Sequence, residues 1–466
     1  MSDVAAHDLP TGAPRERRGA LDRVLSVFSD VHRGESVTAL LLMLDAFLLL
    51  GAYYILKPLR EGLILSEPHG AELKSYSAAA MAVLLMLVVP AYSAVANRTD
   101  RARLITWVTA FFAANLVVFY LLLRAGVPHL GIAFFLWIGI FNLVIVAQFW
   151  SFANDLYTPL QGRRLFGIIG FGSSMGAIAG GLVAQPLIER TGTQVPMLVG
   201  GGVLLTTLVL TWIVHERHRV AHDVGGRAVD EEAKLTPSGG FRLVMSQRYL
   251  LLLALLVLVY NFVNTNGEYI LGKTVKAWVE AHIAVAPGIK PPADAVNKGI
   301  DLFYAGFYTW VNWIGAAVQL LLVGRILKWF GPRVALFVLP LIALGGYGLI
   351  AGAALTPALV GLIRKVKIAE NATDYSLYTT TRQALFLPTS RDAKYKGKAA
   401  IDTFFVRFGD VLSAGLVLIG TQLALTPRGF AGVNVALVAV WLVLAVFVGR
   451  RYHALERAQA DAAHAE

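Results

Sequence analysis

The chain has 466 residues, of which 56% are hydrophobic and only 15% are charged. Soluble domains are about 25% charged, so this composition, with a mean hydropathy of +0.62, excludes a string of soluble domains and indicates a helical membrane protein. The sequence contains 0 Cys, which excludes disulfides, cysteine-ligated metals and a thiol nucleophile. The net charge of +11 could indicate nucleic-acid binding, but in a membrane protein the positions of Lys and Arg carry more information than their sum.

Residues 1–35 are polar and contain several arginines, without the apolar core and cleavage site of a secretory signal. We therefore expect a cytosolic N-terminal tail. After it come twelve apolar segments, each near the length that a helix needs to cross about 30 Å of hydrocarbon. These segments are residues 36–56, 75–96, 104–123, 129–153, 164–187, 194–214, 249–271, 300–324, 333–353, 356–386, 399–424 and 432–449.

The tenth segment is the least apolar, but counting it keeps the cationic loops on one side of the membrane. Alternate loops then hold most of the Lys and Arg residues, which places both termini and the long 215–248 loop in the cytosol. This loop contains Gly pairs and an acidic run, as expected for a flexible linker. The predicted units are a tail (1–35), a six-helix half (36–214), a linker (215–248), a second six-helix half (249–449) and a C-terminal tail (450–466).

The two halves resemble one another in the placement of their basic turns. Asp100 and Arg101 lie between the second and third spans, and Arg325 lies between the eighth and ninth, the equivalent place. Two six-helix halves in parallel repeat are typical of the major facilitator superfamily, whose substrate site lies near the midplane between the halves. The predicted fold is thus an all-α membrane protein with twelve transmembrane helices in that arrangement. Asp100, Arg101 and Arg325 are predicted to latch its cytosolic side during gating.

Ionisable side chains at membrane depth are costly, so each is a functional candidate. The tenth span places several on one helical face, at a spacing of three or four residues. They are Arg364, Lys367, Asn371, Asp374 and Tyr378. This face suits a water-filled path for a multiply charged anion. The alternative is a set of intrahelical pairs, such as Lys367 with Asn371, that stabilises a buried helix.

Three charged residues, Lys57, Arg60 and Glu61, gather near the outer end of the first span, where Pro58 predicts a helix break. They are candidates for substrate binding or gating, although Lys57 and Arg60 could instead extend to the membrane interface. The seventh span carries several asparagines and Glu268, which we expect to bond substrate or a facing helix.

Two further spans carry isolated charges. In the eleventh, Arg407 and Asp410 have the spacing of a structural ion pair, which competes with a substrate role for Arg407. In the first, Asp45 has no cation nearby in sequence and could be a protonatable coupling site or pair across helices. The glycines of the fifth span favour close helix packing over phosphate binding, since no strand precedes them and no Gly-Lys-Ser/Thr follows. The chain shows no metal-ligand cluster and no hydrolase or kinase motif, so we expect neither a cofactor nor an enzyme.

Several passages resemble the ATP/ADP translocase family of plastids and intracellular bacteria, which are nucleotide transporters of the major facilitator type. Residues 149–154 (Phe-Trp-Ser-Phe-Ala-Asn) are similar to the family's Phe-Trp-x-Phe-Ala-Asn run. Residues 396–402 (Lys-Gly-Lys-Ala-Ala-Ile-Asp) match its passage into the eleventh span, and residues 56–61 look like its Leu-Arg-x-x-Lys-Asp with the two cations exchanged. One departure is that the family's carboxylate in the fourth span is replaced by apolar residues around Ile138, with Asn142 and Gln148 as the nearest polar groups.

The resemblance implies exchange of a nucleoside triphosphate for a diphosphate plus phosphate by alternating access, without hydrolysis. Carried over to this sequence, the family's functional residues correspond to Lys57 or Arg60, Lys74, Glu268 and Lys398. The expected partners are ATP, ADP and phosphate as substrates and a lipid bilayer, with no nucleic acid, and the expected location of the monomer is a bacterial inner membrane. One alternative is a major facilitator carrier of another organic anion, coupled to protons through Asp45, Glu268 or Asp374. A second is a membrane scaffold or sensor that does not transport.

Overall fold

We describe a computed structural model in which residues 32, 35–96, 98–222, 238–283, 291–353 and 358–465 are placed. Throughout this described part the chain is helical and contains no strand. Much of the predicted N-terminal tail and of the predicted linker, residues 1–31, 33–34 and 223–237, lies outside the described residues.

The N-terminal half consists of six long helices, which match the first six predicted spans. They are α1 (Glu35–Ser66), α2 (Gly70–Ala96), α3 (Arg101–Arg124), α4 (Leu130–Leu156), α5 (Pro159–Thr191) and α6 (Val195–His222). The expected break at Pro58 is wrong, because α1 continues through this proline to Ser66. As a result, Lys57, Arg60 and Glu61 are all held on a continuous helix.

Residues 238–246 of the predicted linker form a short helix, α7 (Ser238–Ser246), which precedes the long helices of the C-terminal half. These are α8 (Arg248–His282), α9 (Ala293–Ala335), α10 (Val338–Gly352), α11 (358–384), α12 (Ala393–Gln422) and α13 (Pro427–Ala465). Helix α9 contains a π-helical turn at Gln319–Val323, α11 contains one at Asp374–Tyr378, and α12 contains two, at Ala393–Gly397 and Ile401–Phe405. Such wide turns are frequent at functional sites.

The boundary between the eighth and ninth predicted spans lies inside α9. Gly331 has φ 72°, which is outside the helical range, and Pro332 follows it, as is usual at the first position of a helix. Leu336 and Phe337, which connect α9 to α10, also have right-handed helical dihedral angles. The ninth span therefore runs from Pro332 to Gly352, close to the predicted 333–353.

Ten helical segments of the described chain are long and apolar enough to cross a membrane. Large apolar side chains such as Trp107, Trp212, Leu320 and Trp329 are exposed on their outer surfaces, as expected for contact with lipid. The chain is therefore a multi-pass membrane protein. The shorter α10 and the charged α11 fall outside this set of ten, and the count of twelve crossings stays a prediction.

Helix α1 packs against α5 through the glycines of the fifth span. Three of them lie so close to α1 that an added Cβ would overlap its backbone. These contacts are Gly172 with Met43, Gly176 with Phe47 and Gly180 with Gly51. The prediction of close packing is confirmed at these three glycines, whereas Gly167 and Gly170 have open space around them.

The halves meet through α1 and α5 against α9, and through α2 against α8 and α12. We call the end of the bundle that holds the α1–α2, α5–α6 and α8–α9 connections the outer end. There the halves are joined by polar contacts. Lys273 Nζ lies 3.0 Å from Glu72 Oε1, Lys276 donates to the Glu67 carbonyl, and Thr193 donates to Asp301 at 2.7 Å. The ion pairs between the halves, in the described part of the chain, all lie at the cavity or on its outer side, so the bundle is closed at this end.

A candidate functional site between the two halves

A cavity of about 370 Å³ lies between the halves and is lined equally by both. Its size is in the range of small-molecule sites, which is about 300–1,000 Å³. The N-terminal half contributes Tyr53, Lys57, Arg60, Lys74, Ser75, Ala78, Met81, Phe135, Gly139 and Asn142. The C-terminal half contributes Asn261, Asn264, Thr265, Glu268, Tyr269, Tyr308, Asn371, Tyr375, Arg407 and Asp410.

The charged groups form a chain that alternates in sign and crosses from one half to the other. Arg60 pairs with Glu61, whose other oxygen lies 2.7 Å from Lys74 Nζ. Lys74 also lies 3.5 Å from Glu268 of α8. Glu268 in turn lies 3.4 Å from Lys367 Nζ. Because Glu61 and Glu268 each contact two cations, the charges are compensated although they are fully or partly buried.

In the C-terminal half, the chain of charges ends in a fully buried ion pair. Lys367 Nζ lies 3.0 Å from Glu370 Oε2, and Tyr347 donates to the same oxygen at 2.8 Å. Lys367 also donates to Asn264 at 3.0 Å, and Asn371 donates to Glu268 at 3.2 Å. The predicted intrahelical pairing of Lys367 is therefore found with Glu370, whereas Asn371 binds the carboxylate of the facing helix.

Lys57 differs from the other cations because no carboxylate pairs with it in the described structure. It is buried, and its Nζ lies 4.0 Å from the ring centroid of Tyr308 and 4.9 Å from that of Tyr54. Tyr53 and Tyr375 lie farther from the ammonium, at 5.6 and 5.7 Å. Aromatic faces stabilise a cation without neutralising it. Lys57 thus gives the cavity a positive charge that remains available to an anion.

On the opposite wall, Arg407 Nη1 lies 3.2 Å from Asp410 Oδ2, so the predicted ion pair is confirmed. Asn261 and Thr265 donate to the other oxygen of Asp410, at 2.7 and 2.8 Å. With its carboxylate held by two further donors, Asp410 orients the guanidinium of Arg407, which also lines the cavity. An arginine in this position can bind a phosphate through two parallel hydrogen bonds.

The structure brings six predicted substrate residues to the cavity wall and places five elsewhere. Lys57, Arg60, Lys74, Glu268, Asn371 and Arg407 line the cavity. Lys367 lies directly behind the wall through Glu268. The remaining four lie away from the wall. Arg364 lies over the ring of Phe303, and Asp374 is buried at the π turn of α11. Tyr378 packs on Tyr260 and Trp441, and Lys398 pairs with Asp402 at 2.7 Å.

The predicted gating residues are dispersed. Glu61 belongs to the charge chain, and Asp45 lies in a separate pocket among α1, α3, α4 and α6. Asp100 is exposed, and Arg325 donates to the Leu321 carbonyl of its own helix. The side chain of Arg101 lies outside the described part, and the cytosolic latch stays a prediction.

Tyr308 and Ser75 line the cavity and were not predicted from the sequence. Tyr308 covers Lys57 and donates to Glu61 at 3.0 Å, so it orders both charges. A signal was present, because α9 has tyrosines one turn apart at 304 and 308 on an amphipathic helix. Ser75 lies one residue after Lys74 in a run of small residues and carries no comparable signal.

Comparison with known proteins identifies the family. The profile of the Major Facilitator Superfamily matches residues 36–364, and the profile of the TLC ATP/ADP transporter family matches residues 334–452. ADP,ATP carrier protein 1 of Chlamydia pneumoniae is 23% identical over 91% of this chain and 92% of its own length. ADP,ATP carrier protein 1 of Chlamydia trachomatis serovar D is 23% identical over 68% of this chain, which spans 64% of that protein.

Solved structures show the same fold at low sequence identity. A crystal structure of a mutant of the nucleoside transporter NupG superposes with a TM-score of 0.60 at 12% identity, covering 90% of this chain and 99% of that one. A transporter of the POT family in complex with 5-aminolevulinic acid gives a TM-score of 0.61 at 13% identity, covering 88% and 96%. The resemblance to the ATP/ADP translocase family is confirmed, and the chain belongs to the major facilitator superfamily.

Proposed function

We propose that this protein is a secondary transporter that exchanges nucleotides, ATP against ADP, at the cavity between its halves. The observation that carries the proposal is the set of four cations on the cavity wall, three from the N-terminal half and Arg407 from the C-terminal half. A nucleotide with several phosphate charges needs cations from both sides, because few other groups can compensate buried phosphates. The relatives named as ADP,ATP carriers support the same substrate class.

The two parts of a nucleotide fit different regions of the wall. Arg60 and Lys74 both contact Glu61 in the charge chain, and Lys57 lies one turn before Arg60 on α1, so the three cations can act together on a polyphosphate. Tyr53, Tyr375 and Phe135 offer aromatic faces on which a base can stack. Asn142 and Asn264 supply hydrogen-bond donors and acceptors for the base or the ribose.

Transport would follow from competition for Lys74. In the structure this lysine is shared by Glu61 and Glu268, which lie in different halves. A phosphate that binds Lys74 weakens its ion pair with Glu268, and this loosens one link between the halves. The closed outer end can then open as the halves rock about the site. This cycle needs no covalent step. All the residues that line the cavity come from one chain, and this supports a transporter that works as a monomer.

By the positive-inside rule, the closed outer end faces away from the cytosol, and both termini and the 215–248 linker are cytosolic. We infer that the protein lies in a bacterial inner membrane. We also infer that its two six-helix halves, linker and tails have the boundaries predicted from the sequence.

Uptake into proteoliposomes tests the proposal. Vesicles containing the purified protein are loaded with ADP, ATP or buffer, and uptake of labelled ATP is measured with and without a pH gradient. The proposal predicts uptake that requires an internal nucleotide and is unaffected by the gradient. Uptake without internal nucleotide that follows the pH gradient would support the proton-coupled alternative, and absence of flux would support a scaffold or sensor.

A further inference from the structure

A second, smaller pocket lies wholly within the N-terminal half and shares no lining residue with the central cavity. Its volume is about 20 Å³, enough for one water molecule or one small ion, which need at least about 10–15 Å³. Helices α1, α3, α4 and α6 each contribute a polar side chain to its otherwise apolar wall. These polar residues are Asp45, Thr109, Gln148, Thr207 and Thr211.

Most of the polar atoms around this pocket are acceptors that can take further hydrogen bonds. Oδ1 of Asp45, which is 2% exposed, has no hydrogen-bond partner among the described residues. The same holds for both amide atoms of Gln148, which is 3% exposed. Buried polar groups are nearly always satisfied, so unpartnered atoms at a small pocket point to a missing ligand.

The threonine hydroxyls also present oxygen lone pairs. The Thr207 hydroxyl donates a hydrogen bond to the Leu204 carbonyl at 2.7 Å, and the Thr211 hydroxyl donates one to Asp45 Oδ2 at 3.1 Å. Each hydroxyl oxygen can therefore still accept or coordinate. The Gln148 amide oxygen can be turned into the pocket by rotation of the amide, since its nitrogen has no partner to lose.

The charge of the pocket determines what the ligand can be. Asp45 is the only ionisable residue among the lining residues that the structure describes, so no lysine, arginine or histidine compensates it there. A water molecule would satisfy Oδ1 but leave the buried charge in place, at a high cost in desolvation. A divalent cation would leave an excess positive charge. One monovalent cation neutralises the site, and oxygen ligands suit a hard ion.

We propose that Asp45, Gln148, Thr207 and Thr211 form a binding site for one monovalent cation, Na⁺, inside the N-terminal half. Asp45 supplies the compensating charge, and the amide and hydroxyl oxygens complete the coordination. Because the pocket has room for a single small ion, K⁺ should bind more weakly than Na⁺. The four ligands lie on three helices of one half, α1, α4 and α6, so an ion there would hold these helices together. The proposal does not depend on the identity of the transported substrate.

Thermal unfolding of the purified full-length protein in detergent tests the site. The midpoint is measured in NaCl, KCl and choline chloride at equal ionic strength, over a range of pH. A ligand that binds only the folded state raises the midpoint, so we expect saturating Na⁺ to raise it by about 3 °C or more over choline, with a smaller effect of K⁺. Equal midpoints in the three salts at every pH would overturn the proposal. An increase on acidification without a Na⁺ effect would also overturn it, because this result indicates a protonated Asp45 beside a water molecule.

Variants locate the site. Asp45→Asn keeps a side chain that can accept from Thr211 but removes the charge, so we expect it to fold and to lose the Na⁺-dependent increase. Asp301→Asn is the matched control, since Asp301 is a fully buried aspartate that also accepts from a threonine but lies at the outer end, and it should retain the increase. Persistence of the full increase in Asp45→Asn would overturn the assignment.

Direct binding of ²²Na⁺ provides a second measurement that does not depend on the folding of the aspartate variant. Gln148→Leu preserves the apolar packing of the pocket and removes the amide oxygen. We expect it to weaken Na⁺ binding by roughly tenfold, the loss of about 1.4 kcal/mol. Wild-type protein that binds no ²²Na⁺ above the level of protein-free detergent, or unchanged affinity in Gln148→Leu, would contradict the proposed ligand set.

Discussion

Lys74 of α2 lies 3.5 Å from Glu268 of α8, and this ion pair joins the two halves of the bundle at the wall of the cavity. Both residues have a second partner in their own half, Glu61 for Lys74 and Lys367 for Glu268. The link between the halves is therefore one contact in a longer chain of charges, and substrate phosphates can replace it without leaving any member unpaired.

Glu268→Gln tests this competition. The variant removes a carboxylate that competes with substrate for Lys74, so we expect ATP to bind at least as tightly as in the wild type. The exchange rate should fall by at least about tenfold. ATP that stays tightly bound throughout the cycle is released more slowly, and slow release limits the rate. Equilibrium binding in detergent and exchange rates in vesicles separate the two effects.

Glu280→Gln is the control for this experiment, since Glu280 lies on the same helix but is exposed. It should behave as the wild type in both assays. Weaker ATP binding in Glu268→Gln together with normal turnover would contradict the competition.

Lys57→Gln should impair substrate binding without disturbing other ion pairs, because Lys57 is surrounded by tyrosines and pairs with no carboxylate in the described chain. Loss of a charged hydrogen bond costs about 2 kcal/mol, so we expect affinity for ATP to fall by roughly 30-fold. Lys57→Arg should retain part of the affinity. Lys365→Gln removes an exposed lysine of α11 and serves as the control; an equal loss in both variants would argue against a specific contact.

Glu72→Gln should open the outer end. Its carboxylate accepts from Lys273 at 3.0 Å and from Tyr269 at 2.9 Å, and both partners lie in the other half. Because the natural chain contains 0 Cys, a single Ser75→Cys substitution reports on access to the cavity without background labelling. We expect an impermeant maleimide added from the outer side to label this cysteine faster in the Glu72→Gln variant.

Asp392→Asn breaks an exposed ion pair with Lys396, at 3.3 Å, far along the chain from the outer end, and should leave the labelling rate unchanged. Exchanging the charges in Glu72→Lys with Lys273→Glu should restore slow labelling. An unchanged rate in Glu72→Gln would show that this contact does not keep the outer end closed.

Gly176→Ala tests the packing of α5 on α1. The added Cβ would overlap the backbone of Phe47, which cannot move aside as a side chain can. Overpacking costs about 1–3 kcal/mol, so the thermal midpoint of the purified protein should fall. Gly170→Ala, at a position with open space around the added Cβ, should be neutral or slightly stabilising. Equal midpoints in the two variants would contradict close packing at Gly176.

The helices and several cavity residues could be predicted from the sequence, since apolar length indicates a span and a charge inside a span indicates a function. Lys57, Arg60 and Arg407 were found in this way. Side-chain partners were harder to predict, because they lie in other helices. Lys398, for example, is turned toward Asp402 on its own helix rather than into the cavity.

The face of α11 was predicted with regular helical spacing, and this assumption failed at its π turn. The wide turn at Asp374–Tyr378 changes the register of the helix. Tyr375 therefore lines the cavity, whereas Tyr378 packs between Tyr260 and Trp441. The pattern of apolar and polar residues gives no warning of this change.

Protection of a single cysteine at the cavity wall tests the central claim most directly. Asn142→Cys places the reporter on the wall formed by α4, in a chain with no other cysteine. If the cavity binds nucleotide, saturating ATP or ADP should slow maleimide labelling of this cysteine by at least about fivefold, and Lys57→Gln should weaken the protection. Labelling at the same rate with and without nucleotide, in a protein that remains folded, would contradict the account.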